Sequence, residues 1–314
     1  MKKVIFRVLK PGLQTTVQDL GRYGYQQFGI SPSGAMDPYS MQVANILVGN
    51  SASEAVFEVS FIGPVLESLC DMTVAICGGD FSPKVDDSEV PLWKSFLLKK
   101  GQILSVGPSK YGARAYIAVS GGIDVPVVLG SKATFLNGGF GGYEGRSLKK
   151  EDFLSGNPYL KKPLKSLKPS LIPNYHHHIN VRFIPGPHRN RFSEESLKQF
   201  CTEEYVITPQ SNRMGYQLKG PKLHHISGSD IISDPIPLGG IQVPANGQPI
   251  ILMAERQSTG GYTRIGTVIS VDIPMLAQAA PDTVVQFLPV SIEEAQRLYL
   301  ENQILIKHLS LAAK

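Results

Sequence analysis

Short apolar runs bounded by Gly, Pro, Asp or Ser recur along the whole chain. They are rich in β-branched and aromatic residues, a composition that favours β-strands. In the first half this pattern predicts strands over residues 4–9, 55–62, 73–77, 92–98, 103–106 and 113–119. In the second half it predicts strands over residues 179–184, 205–208, 242–243, 250–253, 265–271 and 284–288, with a hairpin turn at 245–248.

Three segments carry helix signals instead. Residues 38–48 follow Asp37 as an N-cap, begin with proline and stop at a Gly-Asn pair. Residues 193–200 start at an N-capping Ser193, and residues 292–308 follow Ser291 with two glutamates in the first turn. The chain also has 31 Gly and 23 Pro among its 314 residues, so turns should predominate. The predicted fold class is mainly β with a few helices (α+β).

The length of the chain indicates more than one hydrophobic core. Residues 161–174 are rich in proline, lysine and serine and show no periodicity, which is typical of a linker. We therefore predict a first subdomain over residues 1–160, a linker over 161–178 and a second subdomain over 179–314 that carries the C-terminal helix. Residues 58–66 and 114–126 resemble residues 216–223 and 264–274 in the same order, which predicts two related barrels that can exchange strands. Matches this short also arise by chance.

Charge and cysteine content limit the kinds of function that this chain is expected to have. The formal net charge is only +5, its lysines cluster in residues 149–168, and the chain shows no basic stripe interleaved with aromatic residues, so a nucleic-acid partner is not expected. No apolar run approaches the roughly 20 residues of a membrane span, and we expect no signal peptide because Arg7 and Lys10 interrupt the apolar run near the N-terminus. The three cysteines form no CxxC or metal spacing, and the adjacent histidines 176–178 point in different directions on a strand. We expect a cytoplasmic protein without a metal site.

Residues 254–262 stand out because they combine an acid, a guanidinium, an amide, hydroxyls and two glycines between apolar runs. Two interpretations remain open: a ligand-binding loop held between core strands, or a hairpin whose turn is merely polar. Further polar segments lie at residues 12–25, 31–37 and 211–216. The glycine-rich run 138–146 lacks a Walker pattern and indicates a flexible surface loop or a lid.

Four arginines in or near these segments suit a carboxylate or phosphate ligand, because a guanidinium offers two parallel hydrogen bonds. They are Arg22, Arg114, Arg213 and Arg256. Candidate acid or base groups are Asp19, Asp37, Glu255 and Asp272.

Taken together, several motifs resemble one known family. They are PGLQTTVQDLGR (11–22), SGAMD (33–37), ANILVGN (44–50), GARAY (112–116), SNRMGY (211–216), GIQVP (240–244) and the 256–262 segment. They are similar to the biotin-dependent carboxyltransferase-like family of the 5-oxoprolinase C subunit and KipA, the antagonist of a sporulation-kinase inhibitor. That family is related to urea carboxylase and to allophanate hydrolase subunit 2. The resemblance covers residues 6–287 and implies cyclophilin-like β-barrel subdomains. At Glu255 and Ser258 the family more often carries Asp and Thr.

The resemblance implies a subunit of an ATP-dependent 5-oxoprolinase that opens 5-oxo-L-proline to L-glutamate. Such a protein is expected to be active only with the B subunit (KipI-like) and the A subunit (LamB/YcsF-like), and ATP is expected at the partner or at the interface. One alternative is a regulatory protein that antagonises a histidine-kinase inhibitor. Another is the carboxyltransferase component of a biotin-dependent urea carboxylase-type system, with biotin on a separate carrier because none is expected on this chain.

From these segments and the resemblance we predict a site in two groups, with no metal. The predicted catalytic residues are Glu255, Arg256, Thr259 and Asp19. The predicted substrate- and anion-binding residues are Arg22, Arg114, Arg213, Gln242, Gly260, Gly261 and Tyr262.

Overall fold

The computed structural model describes residues 2–312 and is mainly β with four α-helices in that range, as the strand pattern predicts. The chain divides into two compact units. Within the described range, the first unit contains residues 2–22, 33–175 and 304–312, and the second contains residues 23–32 and 176–303. No helix in the described range is both long enough and apolar enough to cross a membrane.

The first unit contains two antiparallel sheets. One has the strand order β11-β1-β4-β9-β6-β7 and the other β2-β3-β10-β5-β8. Side chains from both sheets, such as Phe6 and Phe57, meet in one buried core. The strands are β1 (Lys3–Lys10), β2 (Gln14–Gln18), β3 (Val56–Ser60), β4 (Val65–Ser68), β5 (Met72–Asp80), β6 (Lys84–Val85), β7 (Ser88–Glu89), β8 (Ser95–Leu98), β9 (Ile103–Ser105), β10 (Tyr111–Val119) and β11 (Phe153–Gly156).

Helix α1 (Pro38–Val48) packs against β5 and β10 of the second of these sheets and has the predicted bounds. Asp37 caps it by accepting a hydrogen bond from the backbone N–H of Ser40 at 2.9 Å, and Gly49 ends it with a φ of 82°. Capping and the terminal glycine satisfy backbone groups that the helix itself leaves open, which is why these bounds are readable from sequence.

The second unit is built around a closed barrel. Its sheet has the order β12-β19-β13-β14-β17-β16-β18-β15, and an additional β12–β18 pairing closes the first seven strands on themselves. Strands β12 and β19 pair in parallel, whereas the other pairs are antiparallel. The strands are β12 (His178–Pro185), β13 (Glu204–Ile207), β14 (Gly215–Lys219), β15 (Asp230–Pro235), β16 (Gly240–Val243), β17 (Ile250–Leu252), β18 (Thr259–Val268) and β19 (Val284–Pro289).

Three helices accompany the barrel strands in sequence. Helix α2 (Glu194–Thr202) begins after Ser193, whose hydroxyl accepts from the backbone N–H of Ser196 as predicted. Helix α3 (Ile273–Gln278) was not predicted from the sequence. Helix α4 (Ile292–Ala312) begins where the sequence indicates and extends one turn further.

The loop predicted over residues 254–262 is shorter in the structure. Strand β18 already begins at Thr259, because residues Thr259–Tyr262 pair with β15. The sequence of β15, DIISDP, is polar and carries proline, so it gave no strand signal. The predicted strand 265–271 also ends early, since residues Ser270–Asp272 form a 3-10 turn that leads into α3.

Part of the glycine-rich run 138–146 is packed rather than exposed. Gly141 and Gly142 are buried with positive φ values of 74° and 55°. A Cβ at Gly141 would overlap the carbonyl oxygen of Ala133, and one at Gly142 would overlap the hydroxyl of Thr134. Glycine is required here by close approach of neighbouring chain segments, so the flexible-loop interpretation is wrong for this part of the run.

Candidate functional site

An ion pair between Arg213 and Glu255 organises the polar region of the second unit. Nε of Arg213 donates to Oε1 of Glu255 at 2.7 Å, and the backbone N–H of Glu255 donates to the carbonyl of Arg213 at 2.8 Å. Arg213 lies just before β14 and Glu255 follows β17, and these strands are antiparallel neighbours. The two side chains are only 5% and 2% exposed. The pair is therefore a buried link that fixes the turn between β17 and β18.

Arg256, the next residue, has a different environment. Its Nε donates to the carbonyl of Ile236 at 3.0 Å and its Nη1 lies 3.4 Å from the carbonyl of Met253. Within residues 2–312, no carboxylate lies at ion-pair distance from Arg256. Burial lowers the pKa of Arg256, and the phenol of Tyr23 acts in the opposite direction. A largely buried guanidinium whose partners are neutral carbonyls favours a bound anion.

Gln242 and Gly260 lie side by side where β16 and β18 approach. Gln242 is buried on β16, and a Cβ at Gly260 would lie 2.6 Å from its Nε2. The same Cβ would lie 2.5 Å from Cδ1 of Ile236. Glycine at position 260 therefore allows the amide of Gln242 to rest against the backbone of β18.

The remaining predicted residues of this segment lie on the surface of β18. Thr259 and Tyr262 are exposed, and Tyr262 retains 42% of its accessible surface. Gly261 is partly buried, and a Cβ there would make only ordinary contact, 3.5 Å from the carbonyl of Ile231.

In the first unit, Arg114 belongs to a buried polar cluster. Its Nε lies 4.0 Å from Oε1 of Glu58, and Oε2 of Glu58 accepts from the backbone N–H of Met36 at 2.7 Å and from the hydroxyl of Tyr116 at 2.8 Å. Burial, followed by the charges of Glu58 and Asp37, raises the pKa of Tyr116 well above its usual value. The phenol therefore stays protonated and remains a donor to Glu58.

Asp19 and Arg22 both hold the segment that follows residue 130. Asp19 accepts from the hydroxyl of Ser131 at 2.7 Å and from the backbone N–H of Lys132 at 2.6 Å. Arg22 donates through Nη2 to the carbonyl of Ala133, and its guanidinium carbon lies 5.0 Å from the ring centre of Phe140. Both side chains thus make contacts that position a chain segment.

Two other candidate acids, Asp37 and Asp272, also make hydrogen bonds that stabilise the fold. Asp37 caps α1 through its two carboxylate oxygens, which accept from the backbone and the hydroxyl of Ser40. Asp272 accepts from Nε of Arg182 at 3.0 Å and from its backbone N–H at 2.8 Å.

The structure brings predicted residues together within each unit. In the second unit, Ile236 connects one set, because its carbonyl binds Arg256 and its side chain lies beside Gly260; the predicted members are Arg213, Gln242, Glu255, Arg256 and Gly260. In the first unit, Asp19 and Arg114 are connected through successive residues. The backbone of Ala35 donates to the carbonyl of Asp19, and that of Met36 donates to Glu58.

Sequence reasoning missed Glu58 and Tyr116 as members of the first-unit cluster. The signal was present, since a glutamate within the mostly apolar run VFEVS is unusual in a strand whose residues are all buried. It missed Ile236 because that residue acts through its backbone carbonyl, which leaves no trace in side-chain chemistry.

No group of three or more His, Cys, Asp or Glu residues within residues 2–312 is arranged to hold a metal ion. His178, in the histidine triplet, hydrogen-bonds Glu204 at 2.8 Å instead.

Comparison with known proteins places this arrangement in a family. The carboxyltransferase domain, subdomains A and B, matches residues 28–289. The chain is 37% identical to the C subunit of 5-oxoprolinase from Escherichia coli (strain K12), over 95% of this chain and 96% of that protein. It is 35% identical to urea amidolyase of Saccharomyces cerevisiae, over 95% of this chain but 17% of that protein.

A solved structure gives the same result for the fold. The urea amidolyase of K. lactis superposes with a TM-score of 0.93 at 32% identity, over 98% of this chain and 20% of that one. The motifs quoted from the sequence agree with these matches, each of which covers most of this chain, so the chain belongs to the carboxyltransferase domain family (subdomains A and B) that includes the C subunit of 5-oxoprolinase.

Proposed function

We propose that this chain is a subunit of an ATP-dependent 5-oxoprolinase that opens 5-oxo-L-proline to L-glutamate in the cytoplasm. The observation that carries the proposal is the extent of the match. The chain aligns with 96% of the E. coli 5-oxoprolinase C subunit, but with only 17% of the S. cerevisiae urea amidolyase. The match therefore spans nearly the whole of that C subunit but only a small part of the amidolyase. The proposed partners are the B and A subunits of such an enzyme, and ATP is proposed to bind to a partner or at an interface.

The chemistry gives Arg256 a specific role. A lactam is a stable amide, and transfer of the γ-phosphoryl group of ATP to its oxygen makes the carbonyl carbon open to attack by water. The C–N bond then breaks and the freed nitrogen takes up a proton, which leaves an acyl phosphate, and a second water hydrolyses it to glutamate and phosphate. Both the substrate carboxylate and the transferred phosphoryl group are anions. Arg256 is the group proposed to bind one of them, because its hydrogen-bond partners are neutral carbonyls.

The neighbouring residues support Arg256 rather than share its role. The charge of Arg213 is compensated by Glu255 at 2.7 Å, so this pair is proposed to position the turn that carries Arg256. Gln242, held against Gly260, is proposed to orient the substrate through its side-chain amide. Thr259, Gly261 and Tyr262 line the adjacent surface of β18.

A second candidate is carboxyl transfer, which the similarity to urea amidolyase favours. In that reaction Arg256 would bind the carboxylate of a carboxylated biotin supplied by a separate carrier. The two candidates differ in what they consume, since one requires 5-oxoproline and the other requires a biotinylated partner and urea.

The test is release of glutamate from 5-oxoproline by this chain mixed with the B and A subunits and ATP. We expect activity only when all three proteins are present, and a loss of at least 100-fold with Arg256→Gln, as for removal of one charge-stabilising donor. Arg297→Gln is the matched control, because Arg297 is exposed and pairs with Glu294 and Glu301. Glutamate release that persists in the Arg256→Gln variant would support the proposed activity but exclude Arg256 as the anion-binding residue. Urea-dependent ATP consumption with a separate biotin carboxylase and a biotinylated carrier, without glutamate release, would favour carboxyl transfer.

A further inference from the structure

A small cavity in the second unit lies between α2 and the barrel. Its volume is about 130 Å³. Its wall is almost wholly apolar; the lining residues are Arg189, Cys201, Phe183, Pro185, Leu197, Phe200, Ile265 and Pro289.

The floor of this cavity is rigid. The ring of Phe200 stacks on Phe287 with centres 4.3 Å apart, and Phe183 packs edge-on against Phe200 at 5.1 Å. Leu197 and Cys201 lie one turn apart on α2 and so face the same side. Rings fixed by several neighbours do not rearrange to fill the space, so the cavity is preformed.

Among the residues that line the cavity, Arg189 alone carries a charge. Arg189 is exposed on the short 3-10 turn Arg189–Arg191, and it makes no ion pair within residues 2–312. No carboxylate lines the cavity. Burial raises the pKa of the Cys201 thiol, and the charge of Arg189 opposes that shift, in keeping with the two groups lining one cavity.

We propose that this cavity binds a small carboxylate whose apolar ring or branched chain fills the pocket while its carboxylate pairs with Arg189. The volume suits such a ligand, since an engineered apolar cavity of about 150 Å³ binds benzene. The lining has no good partner for an amide, because a thiol is only a weak hydrogen-bond donor. A lactam such as 5-oxoproline would bury its N–H and C=O without partners, so this pocket is distinct from the proposed substrate site.

The test uses cyclopentanecarboxylate as the probe and 5-oxoproline, its lactam counterpart, as the matched polar ring. Calorimetric titration of the full chain should show saturable binding of cyclopentanecarboxylate and at least tenfold weaker binding of 5-oxoproline. Arg189→Gln should weaken cyclopentanecarboxylate binding at least tenfold, as expected for a lost charged hydrogen bond. Arg191→Gln is the control, because its guanidinium already binds the hydroxyl of Ser227 at 2.6 Å.

Alkylation of thiols locates the ligand independently. Saturating cyclopentanecarboxylate should slow the reaction of Cys201 with iodoacetamide at least fivefold, while the partly buried Cys70 in the first unit serves as the internal reference. Absence of saturable binding, binding that leaves the alkylation of Cys201 unchanged, or binding that survives Arg189→Gln would each overturn the proposal. None of these measurements depends on 5-oxoprolinase activity, so failure of the carboxylate pocket is distinguishable from failure of the proposed function.

Discussion

Nε of Arg213 and Oε1 of Glu255 are 2.7 Å apart, and both side chains are almost fully enclosed. The two residues are also joined through their backbones, since the N–H of Glu255 donates to the carbonyl of Arg213. A side-chain and a backbone contact between the same two residues tie the end of β17 to the start of β14. The position of Arg256, one residue further, depends on this double link.

Removing the carboxylate of this pair should destabilise the protein. Glu255→Ala removes one partner of the buried ion pair with Arg213, and such a change costs about 3 kcal/mol in the free energy of unfolding. Urea denaturation followed by fluorescence measures it. Glu301→Ala, which removes an exposed partner of Arg297, should cost less than about 1 kcal/mol. Equal costs for the two variants would show that the pair does not fix the turn.

Alanine variants at Gly260 and Gly261 form a matched pair that tests the role of Gln242. Gly260→Ala places a methyl group 2.6 Å from Nε2 of Gln242, so the amide must move, whereas Gly261→Ala meets only ordinary contacts. We expect Gly260→Ala to lower kcat/KM for 5-oxoproline about tenfold or more in the reconstituted complex, as for a misplaced binding group. Gly261→Ala should retain the parent value. If both variants retain full activity, Gln242 has no part in substrate binding.

Two glycines of the first unit can separate the stability cost of steric overlap from the cost of backbone strain. Gly121 and Gly101 have similar positive φ values of 78° and 84°. A Cβ at Gly121 would overlap the carbonyl oxygen of Asn157, whereas one at Gly101 would meet nothing within 4 Å. Both alanine variants should lose about 1 kcal/mol to strain. Only Gly121→Ala should lose substantially more stability, because its methyl group would also overlap Asn157. Equal denaturation midpoints for the two variants would contradict this close packing.

Stability should fall as the pH drops below about 6.5, the usual pKa of histidine. Burial lowers the pKa of both His188 and His225, so their unfolded forms take up protons before the folded ones do. The stabilising contribution is present above the unfolded pKa and is lost as the pH falls through the folded one. Thermal melting between pH 8 and 5 measures the slope. His225→Gln, which keeps a polar group near Thr263, should make the slope shallower; an unchanged slope would exclude His225 as its source.

The sequence by itself determined the elements whose signals are local. Helix α1 was predicted with its observed bounds because Asp37, Pro38 and Gly49 act on the backbone groups next to them. Strands such as β5 and β10 were found because they are apolar along most of their length. The residues of the candidate site were also visible, as arginines and acids in glycine-bearing segments, and the quoted motifs were enough to indicate the family.

Only the tertiary structure decided what those residues contact. Strand β15 carries no strand signal of its own and exists because it pairs with β18, which turned half of a predicted loop into a strand. The distinction between Arg213, compensated by Glu255, and Arg256, bound to neutral carbonyls, depends on which strands are neighbours in the barrel. Capping and hydrophobic patterning act over a few residues, whereas ion pairing and close approach join residues far apart in the chain, so the sequence names the chemical groups and the fold assigns their partners.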